Sequence, residues 1–132
     1  MLNQPHSGFR RIACSEPCVL DEADGPRQGV VWNLSVVGAY VAIRTAPREG
    51  EPVWLSFSLP GDGVPIRAQA RVVWQNRPSP WPGCGERAAA LPAGCGLLFT
   101  RLEEADRRRI DARVRRTYPA VHGRMPYAAL SS

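Results

Sequence analysis

Two stretches of the chain alternate apolar and polar residues at period two, and they restrict the fold more than any other feature. Val53, Leu55, Phe57 and Leu59 alternate with Trp54, Ser56 and Ser58. Ile66, Ala68, Ala70, Val72 and Trp74 alternate in the same way with Arg67, Gln69 and Arg71. Successive strand side chains point to opposite faces, so each run predicts a half-buried strand. Trp74 falls on the buried side by this parity. Between the two runs, Gly61-Asp62-Gly63 supplies the residues of a turn.

The flanking sequence extends the β pattern. Residues 30–43 are mostly apolar but are broken by Asn33, Ser35 and Gly38, which predicts two strands meeting at a bend. Residues 13–20 form a weaker strand, and Pro17 within it belongs on an edge or at a bulge because it has no N–H to donate. Asp24-Gly25-Pro26 reads as the turn into the next strand. A last apolar run, Leu97 to Phe99, follows Gly94-Cys95-Gly96. Six short antiparallel strands with glycine-rich turns predict an all-β fold, a small closed or nearly closed barrel. Residues 76–93 carry Pro78, Pro80, Pro82 and Pro92 around Trp81 and Gly83, and read as an extended loop before the sixth strand.

One C-terminal α-helix follows. Thr100-Arg101-Leu102-Glu103 has the spacing of a capping box, and Pro119 marks the stop. Ile110, Val114 and Tyr118 share one face and are expected to dock on the barrel, with Arg109 and Arg113 beside that stripe. The organisation expected is a flexible arm over residues 1–12, a barrel plus helix over 13–118, and a tail over 119–132.

At 132 residues the chain fits a single compact domain large enough to bury a core without disulfides. No apolar run approaches the roughly 18 residues of a membrane span. The first residues, MLNQPHSGFRR, lack a secretory block, so a cytoplasmic location is expected. All 17 basic residues are arginine, and the formal net charge is +5. Residues 101–116 hold seven of these arginines against Glu103, Glu104, Asp106 and Asp111, a mild excess. That argues against a nucleic-acid polymer as partner, as does the lack of exposed aromatic rows. It suits a small anionic ligand, because the planar guanidinium fork pairs with phosphates and guanine edges. The run of arginines from 107 to 116 reads as a solvated helix face.

Catalysis finds no support. His6 and His122 sit in no nucleophile or metal motif, and no GxSxG, HExxH or P-loop spacing occurs. The chain is expected not to be an enzyme and to hold no metal or cofactor. Cys14 and Cys18 are four apart and Cys84 and Cys95 eleven apart, neither of them the knuckle spacing of a zinc site. Reduced thiols are expected.

The segment 32–41, WNLSVVGAYV, leaves two readings open. In one, Asn33 and Ser35 hydrogen-bond their own backbone and Gly38 supplies positive φ at a bend. In the other, the same three residues form a polar shelf on the outer wall, where side chains reach a ligand.

Over residues 7–116 the chain resembles the PilZ domain family, bacterial receptors for cyclic di-GMP. The likeness rests on NLSVVGAYV, which matches the family's D/N-x-S-x-x-G motif, on ARVVW at 70–74, and on GCGLLFTRLEEADRRRIDARV at the end. The resemblance implies a six-stranded antiparallel barrel with a C-terminal helix and cyclic di-GMP on the barrel exterior. Asn33, Ser35 and Gly38 would carry one half of the site. The other half, the family's RxxxR arm, is incomplete. Arg10 as its first arginine puts Cys14 at the second place, and Arg11 as its second puts Ser7 at the first. The latter register aligns RIACSEPCVL better. Arg10 and Arg11 are therefore the candidate clamps, and the expected function is to relay the second messenger to an unidentified protein partner. The alternative is a degenerate PilZ-like adaptor in motility or surface assembly, working through protein–protein contact alone.

Overall fold

The computed structural model describes residues 9–77 and 91–118. Six strands form one closed antiparallel barrel: β1 (Ile12–Glu22), β2 (Gly25–Leu34), β3 (Gly38–Ala42), β4 (Pro52–Phe57), β5 (Ile66–Asn76) and β6 (Gly94–Arg101). The helix α1 (Glu104–Thr117) follows. Around the barrel the order is β1-β2-β3-β6-β5-β4, closed by β4 against β1. This is the expected fold. The arm before residue 9, the Pro-rich stretch 78–90 with Trp81 and Cys84, the tail from 119, and both histidines lie outside the described residues.

The two alternating runs became β4 and β5, paired from Phe57↔Ile66 to Pro52↔Arg71. Their inward side chains, Val53, Leu55, Phe57, Ile66, Ala68, Ala70 and Val72, are all buried. They join Leu20, Val31, Leu34, Val41 and Cys95 in the barrel interior. Pro17 sits just past a register shift in β1 and just outside the stretch that pairs with β4, so its missing N–H breaks no ladder there.

The capping-box expectation fails. β6 continues through Arg101, whose pairing with Gln69 keeps Thr100 extended, and the helix starts later, with Glu103 as its cap residue and no side-chain cap. Glu104 and Asp106 in the first turn face the positive end of the helix dipole instead.

Ile110 and Val114 dock as expected, both within the core cluster. Full burial of an aliphatic side chain stabilises by about 1.5–3 kcal/mol. The solvated-face reading holds only for part of the helix. Arg108 and Arg115 are exposed and pair within the helix with Glu104 and Asp111. Arg107 instead donates to the Val36 carbonyl (2.9 Å), and Arg113 to the Pro60 carbonyl (2.6 Å). Arg109 binds Asp62 (2.8 Å), Asp106 (2.8 Å) and the Val64 carbonyl (2.6 Å). The arginines beside the apolar stripe are thus pins fastening α1 to the β4–β5 turn and the β2–β3 bend.

The Arg109 hydrogen bond, with a second from the Val64 N–H, holds the Asp62 carboxyl below its ordinary value. A depressed carboxyl adds stability that is complete above its unfolded value, about pH 4, and is lost as pH falls through the lower folded value. Asp62→Asn should therefore lower the thermal midpoint at neutral pH, and the gap to wild type should close on acidification. Circular dichroism melts from about pH 7 to about pH 2 check this; a gap independent of pH would refute it.

Candidate ligand site on the barrel wall

Two β-bulges aim the site's side chains outward. In β2 the pairing runs Val31↔Val41 and then jumps to Asn33↔Tyr40. Val31 and Leu34 point inward, so Trp32 and Asn33 both fall outside, and Trp32 is 40% exposed. In β5 the pairing jumps from Val72↔Leu97 to Trp74↔Gly96, which puts Val73 and Trp74 outside together. Bulges commonly re-aim side chains in this way. They correct the parity assignment of Trp74, which is 38% exposed rather than interior. The adjacent apolar pair Val72-Val73 was the sequence signal of that slip.

Trp74 lies flat over Gly96. A Cβ at Gly96 would run into the indole, so only glycine lets the ring rest against the strand. Tyr40 borders the indole, with ring centroids 5.6 Å apart and planes tilted by 33°. The Tyr40 hydroxyl donates to the Pro92 carbonyl (2.5 Å) and accepts from Asn76 Nδ2 (3.2 Å). Asn76 also donates to the Leu91 and Pro92 carbonyls, so a buried polar knot secures the start of the last strand beside the indole.

These rings line a cavity that also has a polar side. Arg11 Nη1 donates to Asn33 Oδ1 at 2.8 Å. Partial burial lowers the Arg11 guanidinium from its ordinary value, which still leaves it a cation at neutral pH. Arg11, Asn33, Tyr40, Trp74, Leu91 and Gly96 line a cavity of about 220 Å3. That is below the 300–1,000 Å3 of most drug-sized pockets and suits one planar base better than a whole dinucleotide.

The remaining candidates sit close by but face elsewhere. Ser35 is buried, and its hydroxyl oxygen accepts from the Val37 and Gly38 N–H groups, 3.2 Å each. The Ser35 N–H donates to the Gly38 carbonyl (2.9 Å). These bonds build the β2–β3 bend. Gly38 is absent from the positive-φ glycines of the described residues, Gly25, Gly50 and Gly61, so the positive-φ expectation is wrong. Its requirement is steric: a Cβ there would collide with the Leu97 carbonyl of β6. Arg10 points away from the cavity, its guanidinium 5.1 Å from the centre of the Tyr118 ring. The structure thus brings Arg11 and Asn33 together, seats Ser35 and Gly38 in the bend below, and sets Arg10 apart. Tyr40, Trp74 and Tyr118 were missed as site residues by sequence reasoning.

Burial pushes the Cys18 and Cys95 thiols up to about 12 and the Cys14 thiol to about 11, which leaves all three protonated and poor nucleophiles at neutral pH. Among the described residues no three His, Cys, Asp or Glu side chains gather as a metal site, and no helix is long and apolar enough to cross a membrane.

No curated protein sequence matches the chain significantly. Solved structures do. The Bacillus subtilis inhibitor of motility (MotI/DgrA) superposes with a TM-score of 0.65 at 16% identity, over 86% of this chain and 52% of that one. Escherichia coli YcgR in complex with c-di-GMP gives 0.64 at 12% identity, over 88% and 47%. The PilZ domain with c-di-GMP of YcgR gives 0.62 at 14% identity, over 90% and 98%. The chain therefore spans about half the length of the first two proteins and nearly all of the isolated domain. At these identities the likeness is one of fold. The family model of the PilZ domain matches residues 6–116, which take in all six strands and nearly all of α1, and the chain belongs to the PilZ domain family.

Proposed function

We propose that this domain binds cyclic di-GMP non-covalently on the outer barrel wall and relays its presence to a partner protein in the cytoplasm. The observation that carries the reading is that the Arg11–Asn33 pair and the Trp74 indole line one cavity. A guanine stacked on the indole would offer its O6 and N7 edge to the Arg11 fork, a bidentate match. Base–aromatic stacking adds about 1–3 kcal/mol. Asn33 supplies a further donor and acceptor. Arg10 would have to leave Tyr118 to reach the phosphates. Ser35 and Gly38 serve the same site by holding the bend that presents Asn33. Family membership and the fold shared with c-di-GMP complexes support the ligand class.

A larger groove of about 490 Å3 crosses β1, β4 and β5, lined by Asp21, Glu22, Trp54 and Arg71. Its two carboxylates disfavour a dianionic ligand, and the Trp54 ring is already covered by Arg67 at 4.0 Å. The smaller cavity is the better anion site. No catalytic step, metal or cofactor enters this reading.

Calorimetric titration with cyclic di-GMP, with cyclic di-AMP as control, tests it. Adenine carries an amino donor where guanine carries O6, so the Arg11 fork loses its match. Selective heat, together with quenching of indole fluorescence that disappears in Trp74→Phe, is the expected result. No heat and no thermal shift at saturating ligand would overturn the receptor reading. The second reading, a non-binding adaptor that works through protein contact, is favoured by one observation: among the described residues only one arginine lines the cavity.

A further inference from the structure

We infer that Tyr118, the residue that closes α1, is a positioning residue for the arginine arm and ties the cavity to the end of the helix. The inference deepens the ligand-binding reading and rests on it for its affinity arm. Tyr118 is held on the helix side: its N–H bonds the Val114 carbonyl at 3.2 Å, and Val114 and Ile110 are anchored in the core. From that fixed point its hydroxyl donates to the Arg11 carbonyl at 2.7 Å, across 107 positions of sequence. One residue further on, Ile12 is buried and paired with Leu34. The Arg11 backbone is thus fixed from both sides, by Tyr118 and by the first rung of β1.

That double anchoring sets where the two arginines go. Consecutive side chains of an extended chain point to opposite sides. With Arg11 directed at Asn33, Arg10 is turned the other way, onto the Tyr118 ring. A guanidinium over a tyrosine face is attracted to the ring quadrupole. Tyr118 therefore does two separable things: its hydroxyl aims Arg11 into the cavity, and its ring holds Arg10 in reserve. A ligand that needs Arg11 in its present position gains from the hydroxyl contact. By linkage, ligand bound at Arg11 strengthens the docking of the helix end by the same factor.

Tyr118→Phe deletes the hydroxyl and keeps the ring, so the core and the Arg10 stack survive. Two measurements on the full chain decide the matter. Without ligand, hydrogen exchange of residues 9–13 should quicken about five-fold, the worth of one neutral hydrogen bond, while the amides of β4 and β5 are unchanged. With cyclic di-GMP, Tyr118→Phe should weaken affinity about five-fold on its own and cause no further loss when Arg11 is already Ala. Unchanged exchange over 9–13 overturns the inference. So does an equal affinity loss in the Arg11→Ala background, which would mean a merely structural role. Should wild type bind no cyclic di-GMP at all, the ligand reading falls, and the exchange measurement still decides whether Tyr118 orders the arm.

Discussion

Arg11→Ala is expected to weaken cyclic di-GMP binding by about 5- to 150-fold, the value of one bidentate guanine contact at about 1–3 kcal/mol. The thermal midpoint should stay where it is. Among the described residues the Arg11 side chain makes one hydrogen bond, to Asn33 in the lining of the open cavity, and removing it leaves the amide facing water rather than a sealed void. Its backbone contact with Tyr118 is untouched by the substitution. Arg11→Lys is the informative companion. Lysine keeps the charge and loses the planar fork, so it should recover any phosphate contribution and little of the guanine selectivity. Titration calorimetry beside thermal unfolding reads both quantities. Full affinity in Arg11→Ala would remove Arg11 from the site.

Gly38→Ala is expected to produce a large loss of stability. The added methyl meets a backbone carbonyl, that of Leu97, and a carbonyl in a ladder cannot rotate aside as a flexible side chain can. Either β3 moves away from β6, opening the barrel beside the cavity, or the bend rebuilds and loses the Ser35 hydrogen bonds. Overpacking of this kind costs about 3 kcal/mol, or roughly 12 °C in the midpoint for a domain of this size. Gly96→Ala makes a useful contrast, since its methyl meets the Trp74 indole, which can swing into solvent. That variant should keep most of its stability and lose the flat floor of the cavity. Equal midpoints for Gly38→Ala and wild type would refute the steric account.

The barrel was legible because burial on one face forces period-two alternation, and residues 53–59 and 66–72 alternate without a break. Trp74 was misplaced because a bulge adds a residue without adding any sign beyond the pair Val72-Val73. Asn33 could be read as bonded to its own backbone or as part of an outer-wall shelf, and the bulge in β2 turns it outward, where it meets Arg11. Ser35 could be read two ways, and the choice depended on whether its hydroxyl lay within reach of the Val37 and Gly38 amides, which only the bend geometry decides. The Thr100 cap failed for a similar reason: local spacing favoured a helix start, and the ladder to β5 was stronger. Contacts such as Tyr118 to Arg11, or Arg109 to Asp62, join distant segments and leave no periodic trace. Arginines flanking an apolar stripe are as compatible with water as with a carbonyl.

Closure of the barrel narrows how such a domain hands on a signal. With β4 hydrogen-bonded to β1 over Cys18–Asp21, the closed sheet presents no full-length edge strand along which an extended segment of another protein could zip in as a seventh strand. Backbone pairing is left only short strand ends, such as β1 before Cys18, which is too little for runaway self-association through that route. A partner is left to read side chains: the convex outer wall, the helix, or the chain that enters and leaves beside Tyr118. Its contact would then be made of residues that one mutation can erase, and a ligand that draws Arg10 off Tyr118 would change what the partner sees without disturbing a single strand.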